Sequence, residues 1–151
     1  MTAPAVYEDY GVLSGLIRSR ADEIGSGCAA EELDVVRALF GSLPANYAAY
    51  LTDFGWFAVS SHEVIGFGGD LPPHLDVVEV TTWERTQAQP ALADHLLPLE
   101  TNGAGDHYCI DLSVSSAPVV RWSHDDPQGS YQGTPIVARN FVAWALRLFA
   151  G

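Results

Sequence analysis

The sequence predicts an α+β fold, an antiparallel or mixed sheet packed against N-terminal helices and a C-terminal amphipathic helix. Three observations predict it. Apolar residues recur at helical spacing through the first third of the chain. Short β-rich segments bounded by turn residues crowd the middle, and an apolar face at helical spacing closes the chain. Helices first, strands next and a helix last lack the regular strand–helix alternation of a doubly wound sheet.

Tyr10, Leu13, Leu16 and Ile17 form the first helical stripe, and Gly25-Ser26-Gly27 breaks the chain after it. Leu33, Val36, Leu39 and Phe40 form a second stripe. Glu31 and Glu32 lie in its first turn, where the helix dipole favours negative charge, and Gly41 closes it. Pro44 suits the first position of a third helix, because its missing N–H is not needed there. Tyr47, Tyr50, Leu51 and Phe54 share a face of that helix, and Gly55 suits its C-terminal cap. Trp56, Phe57 and Val59 predict a strand, Ser60-Ser61-His62 a turn, and Val64, Ile65 and Phe67 a second strand. Residues 76–83 are rich in β-branched side chains, so local propensity favours a strand there; Pro90 ends whatever element forms.

Leu96 to Leu99 predict a short strand. In the next one, Tyr108, Ile110, Leu112 and Val114 alternate with His107, Cys109, Asp111 and Ser113 on opposite faces. Val119 to Trp122 pairs with it across Ser115-Ser116-Ala117. Thr134 suits the N-cap and Pro135 the first position of a last helix, whose apolar face is Val137, Phe141, Trp144, Ala145 and Leu148.

The 151 residues suit one domain spanning 1–151, long enough to bury roughly two-thirds of the surface of the unfolded chain. Apolar residues make up 48% and are spread throughout, which excludes a disordered chain. The 19 acidic residues face seven arginines and no lysine, for a formal net charge of −12. Such a charge repels nucleic acid and anionic membrane, and it accelerates the approach of a basic protein. Plain solubility is the alternative reason for it. Cys28 and Cys109 are the only cysteines and form no CxxC pair, which fits reduced structural thiols in a cytoplasm. No basic segment followed by an apolar one opens the chain, and no apolar run approaches the roughly 20 residues of a spanning helix. A cytoplasmic location is therefore expected.

Catalytic signatures are sparse. Gly25-Ser26-Gly27 lacks the flanking pattern of a nucleophile elbow. Cys109 and His107 share a strand face, but a core thiol beside an ordinary histidine is much the better account of them. His62, His74, His95, His107 and His124 show no metal-ligand spacing. His124-Asp125-Asp126 reads as a solvated acidic loop with the chemistry to ligate a divalent cation. Asp106, between Gly105 and a strand, reads as a turn device. Gly66-Phe67-Gly68-Gly69 and Gly103-Ala104-Gly105 match no phosphate-binding pattern. No catalytic residue, metal or cofactor is expected.

One set of positions goes further. Leu43, Pro44, Tyr47, Leu51 and Gly55 form a helix-to-strand corner. Leu97, Pro98, Gly105, Asp106, Cys109, Asp111 and Leu112 lie in the central strand region; Pro118, Val119, Val120, Trp122 and His124 follow, then Phe141 and Trp144. Over about residues 40–146 this pattern resembles the SUKH superfamily, which holds bacterial immunity proteins and a fungal regulator of cell-wall assembly. The resemblance implies a helix at 76–85, carrying Glu84 and Arg85, in place of the strand that propensity favours. It also implies binding without catalysis: a non-enzymatic immunity protein that neutralises a bacterial toxin, often a nuclease. An acidic surface that imitates phosphate charge suits the basic cleft of such a toxin. The expected contact residues are Asp106, Asp125 and Asp126 at the loop ends, with Asp70, Glu79 and Glu84 as further charge. Trp83 and Trp122 are candidate aromatic anchors, since interface hot spots favour tryptophan. For each acid the alternative is ordinary solvation, and for each tryptophan a core position. Two other classes of function remain open: a regulatory interaction module with an endogenous partner, and a hydrolase using Cys109 with His107 or His124 with Asp126.

Overall fold

The computed structural model of the chain describes residues 5–102, 105–125 and 136–150. Helix α1 (Ala5–Arg20) leads into the two-residue strand β1 (Glu23–Ile24), then α2 (Ala30–Phe40) and α3 (Ala45–Asp53). A hairpin of β2 (Phe57–Val59) and β3 (His62–Val64) follows, then a 3-10 turn (Pro73–Leu75) and α4 (Val77–Thr86). Strands β4 (Leu96–Thr101), β5 (His107–Asp111), β6 (Val119–Trp122) and β7 (Ile136–Ala138) precede α5 (Phe141–Arg147). The strands form two antiparallel sheets, β1-β2-β3 and β4-β5-β6-β7. Among the described residues, five helices and two sheets make an α+β fold. The sheets meet where the Ile65 N–H donates to the Leu99 carbonyl, 2.8 Å away.

The amphipathic stripes do the packing. Leu13, Ile17, Val36, Tyr47, Tyr50 and Leu51 are buried against Phe57, Leu97, Leu99, Ile110 and Phe141 in one large apolar cluster. Tyr47 and Phe141 meet edge to face with ring centroids 5.4 Å apart, a favoured aromatic geometry. A second cluster of Leu92, Leu96, Cys109, Val120 and Trp122 is separate from the first. Alternation along β5 divides the two, with Ile110 in the first and Cys109 in the second.

Among the described glycines, Gly66 has the tightest surroundings. A Cβ on Gly66 would stand 1.6 Å from the Gly55 carbonyl oxygen, so no side chain fits where the loop after the hairpin crosses the end of α3. Gly55 itself has φ 77°, the left-handed conformation that ends α3.

Several sequence expectations require correction. Residues 136–138 form an edge strand and not the start of the last helix; their backbone pairs with Val119 and Val120, and the side chain of Asn140 caps α5 by accepting from the Ala143 N–H at 2.9 Å. The expected start at Thr134 and Pro135 lies outside the described residues. Strand β5 stops at Asp111, because its carboxylate accepts from both the Ser113 N–H and hydroxyl and turns the chain, leaving Val114 exposed. His62 begins β3, so the hairpin turn is Ser60-Ser61 alone, with Ser60 at φ 57°. Ile65 and Phe67 follow β3 and bond instead to Leu99 and Gly55. The short β1 had no signal in the sequence; it exists because β2 offers it a partner.

Candidate functional site

Residues 77–86 are helical despite their β-branched composition. Each such residue costs an α-helix only about 0.7 kcal/mol or less, and three contributions offset it. The Asp76 carboxylate accepts from the Val78 and Glu79 N–H groups at 2.9 and 3.1 Å, an N-cap. Val77 and Thr81, one turn apart, are buried, so the helix has an inner face. Pro72 and Pro73 just upstream cannot donate to a sheet ladder.

The outer face of α4 walls a groove of about 390 Å³, lined by Pro73, His74, Glu79, Val80, Trp83, Glu84, Thr101 and His107. Helical spacing sets Glu79 and Trp83 one turn apart, with Glu84 beside them. Trp83 is 55% exposed, a large apolar side chain left at the surface. Thr101 and His107 enter because β4 and β5 pair them directly.

His107 is buried beneath. Its Nδ1 lies 2.9 Å from Thr101 Oγ1, its Nε2 lies 3.2 Å from Glu84 Oε2, and its ring stacks on Trp122 at 5.4 Å between centroids. The Glu84 contact is within ion-pair reach but out of line for a hydrogen bond. Cys109 is fully buried on the same strand face. Burial, reinforced by the negative charge of Glu84, pushes its thiol well above the ordinary range. The attacking species in thiol catalysis is the thiolate, so this geometry holds Cys109 in its unreactive form.

A second acidic region lies at the ends of β5 and β6. Asp106 is buried, and its carboxylate accepts from Arg121 Nη2 at 3.2 Å and faces His124 Nδ1 at 3.3 Å. Burial alone would raise this carboxyl, but hydrogen bonds with Ser123, Arg121 and His124 outweigh it and hold it below its usual range. A Cβ on Gly105 would stand 2.7 Å from His124 Nδ1, so glycine permits this approach, at φ 95°. Asp125 projects into solvent and pairs with His124 Nε2 at 3.3 Å.

The structure thus gathers Glu79, Trp83 and Glu84 in one groove and sets Asp106 and Asp125 around His124. Asp70 is exposed in the turn before the prolines. Trp122 is wholly buried under His107 and offers no surface to a partner in this conformation. Asp126 lies outside the described residues. The sequence offered His107 as a partner of Cys109 and, with the other histidines, as a metal ligand of unsuitable spacing, and placed neither it nor His74, Val80 or Thr101 in a contact site. The strand register that pairs Thr101 with His107 is the feature that brings them there. Among the described residues, no three histidine, cysteine, aspartate or glutamate side chains converge to hold a metal ion. No helix among them is long and apolar enough to cross a membrane.

Comparison with known proteins adds a family. No curated protein matches the chain. The SUKH_5 family model, described as SMI1-KNR4 cell-wall, matches residues 29–150, reaching further toward the N-terminus than residues 40–146 and taking in α2. Covering well over half of the sequence, and with helices and sheets packed as described, the match shows that the chain belongs to the SUKH superfamily.

Proposed function

We propose that this chain is a non-enzymatic immunity protein of the cytoplasm, which binds a cognate bacterial toxin with a basic, nuclease-like domain and holds it inactive. The family includes toxin-immunity proteins, and its members are generally non-catalytic, which supports a role in protein interaction. The observation that carries the reading is the exposed Trp83 between two carboxylates of one helix, on a chain of net charge −12. Tryptophan is the residue most enriched at interface hot spots, and the surrounding acids select a basic counterpart. Asp70 and Asp125 extend the field beyond the groove, and Asp126 adds charge in sequence. The same field disfavours nucleic acid and anionic membrane as direct partners.

The test is reconstitution with the product of the adjacent open reading frame. A stoichiometric complex that suppresses the partner's toxicity is expected. Its association rate should fall steeply between low and physiological salt, because steering by exposed charge is screened over about 8 Å at 0.15 M. Absence of a complex, or an association rate indifferent to salt, would overturn the reading. The cell-wall description of the matching family favours a second reading, a regulatory module with an endogenous partner; capture of a resident protein with no toxin gene alongside would support it.

A further inference from the structure

The geometry points to an arginine of the partner as the occupant of the α4 groove. Its guanidinium stacks on the Trp83 indole and is held by the carboxylates of Glu79 and Glu84. This rests on the reading that the chain binds a basic protein, and it adds which side chain of that protein is taken.

Three observations favour a cation of this shape. First, the exposed indole of Trp83 stands beside two carboxylates in the groove wall, and an indole face attracts a cation through its quadrupole. Second, the chain's own cations do not fill the position. Among the described residues the Glu79 side chain makes no ion pair or hydrogen bond. Arg85, the only arginine of α4, is turned aside, with its guanidinium 5.2 Å from the Phe40 ring and Nη2 donating to the Asp94 carbonyl at 2.7 Å. His74, also in the groove wall, is engaged by Glu63 at 3.1 Å. Third, among the described residues the Glu84 carboxylate in the groove wall makes no hydrogen bond. Its Oε2 stands 3.2 Å from the buried Nε2 of His107, out of line for a hydrogen bond. An N–H group entering the groove supplies the donor that this carboxylate lacks.

Arginine meets these requirements better than lysine. Its guanidinium is planar, stacks on aromatic rings, and presents five donors in a fork, whereas an ammonium is a compact and strongly hydrated point charge. An apolar side chain would leave the Glu84 carboxylate desolvated and unpaired, and an anion would be repelled.

The experiment uses the full chain, labelled with nitrogen-15, and two neutral glycine–serine peptides that differ only in carrying one arginine or one lysine. The chain has four tryptophans, so the indole N–H signals report which one responds. The arginine peptide should shift the Trp83 signal and bind about threefold more tightly than the lysine peptide. Trp83→Ala and Glu79→Gln should each weaken it by roughly three- to tenfold. Both positions are exposed, so the remaining spectrum should stay dispersed as in the natural chain. Equal affinity for the two peptides, or arginine binding untouched by Trp83→Ala, overturns the inference. Capture of the neighbouring gene product is measured on the same preparations. Capture without arginine preference sinks the groove assignment and leaves the proposed function standing; arginine preference without capture does the reverse.

Discussion

Trp83 and Trp122 carry the same side chain into opposite surroundings. Trp122 is buried among Leu92, Leu96, Cys109 and Val120, so Trp122→Ala should destabilise the fold by about 3–5 kcal/mol in a denaturant titration. Trp83→Ala removes no core contact and should stay within about 0.5 kcal/mol of the natural chain. Asp106 makes a prediction about pH. Burial opposes its charge, yet hydrogen bonds from Ser123, Arg121 and His124 leave its folded pKa below the unfolded one. Its contribution is therefore complete above about pH 4 and disappears as pH falls through the folded value. Asp106→Asn should cost about 1 kcal/mol near neutral pH, and the gap from the natural chain should close on acidification below about pH 4. The thiols supply a third test. Burial, with a smaller effect from Glu32, raises Cys28 to about 11, and Cys109 is raised further. Neither should react with a disulfide reagent at pH 8 until the chain is unfolded; rapid modification of the native protein would contradict the packing.

At the scale of one element, α4 shows which signals can be read locally. Its residues favour a strand one by one, and only a cap, an inner face and two preceding prolines make it a helix. Asp76→Ala should cost about 1 kcal/mol and fray the turn that carries Glu79, observable as faster amide exchange at Val78 and Glu79. Gly66→Ala should cost more than about 3 kcal/mol, since its Cβ would collide with backbone that cannot rotate away. Helices α1 to α3 were legible because their apolar residues repeat at helical spacing and Gly41 and Gly55 end two of them. Strand β7 was not, because Ile136 and Val137 also fit a helical stripe and only pairing with β6 decides between the two.

Across the whole molecule, the large cluster draws on helices α1, α2, α3 and α5 and on both sheets, and the Ile65 to Leu99 bond ties the sheets together. Phe141 sits at its centre, against Tyr47, Tyr50 and Trp144. Phe141→Ala should lower stability by about 3–5 kcal/mol while fluorescence and circular dichroism still report one coincident transition. Two separated transitions would show that the sheets unfold independently.

The residues of this chain settle by themselves which segments are amphipathic, where most helices end, and that the surface is strongly acidic. Those properties depend on spacing, backbone freedom and composition, all of which are local or additive. The strand register, the exposure of one tryptophan against the burial of another, and the meeting of α4 with Thr101 and His107 were decided only by tertiary structure. Each depends on contacts between residues far apart in the chain, where one strand slip or one helix in place of a strand would turn the same side chains to another face.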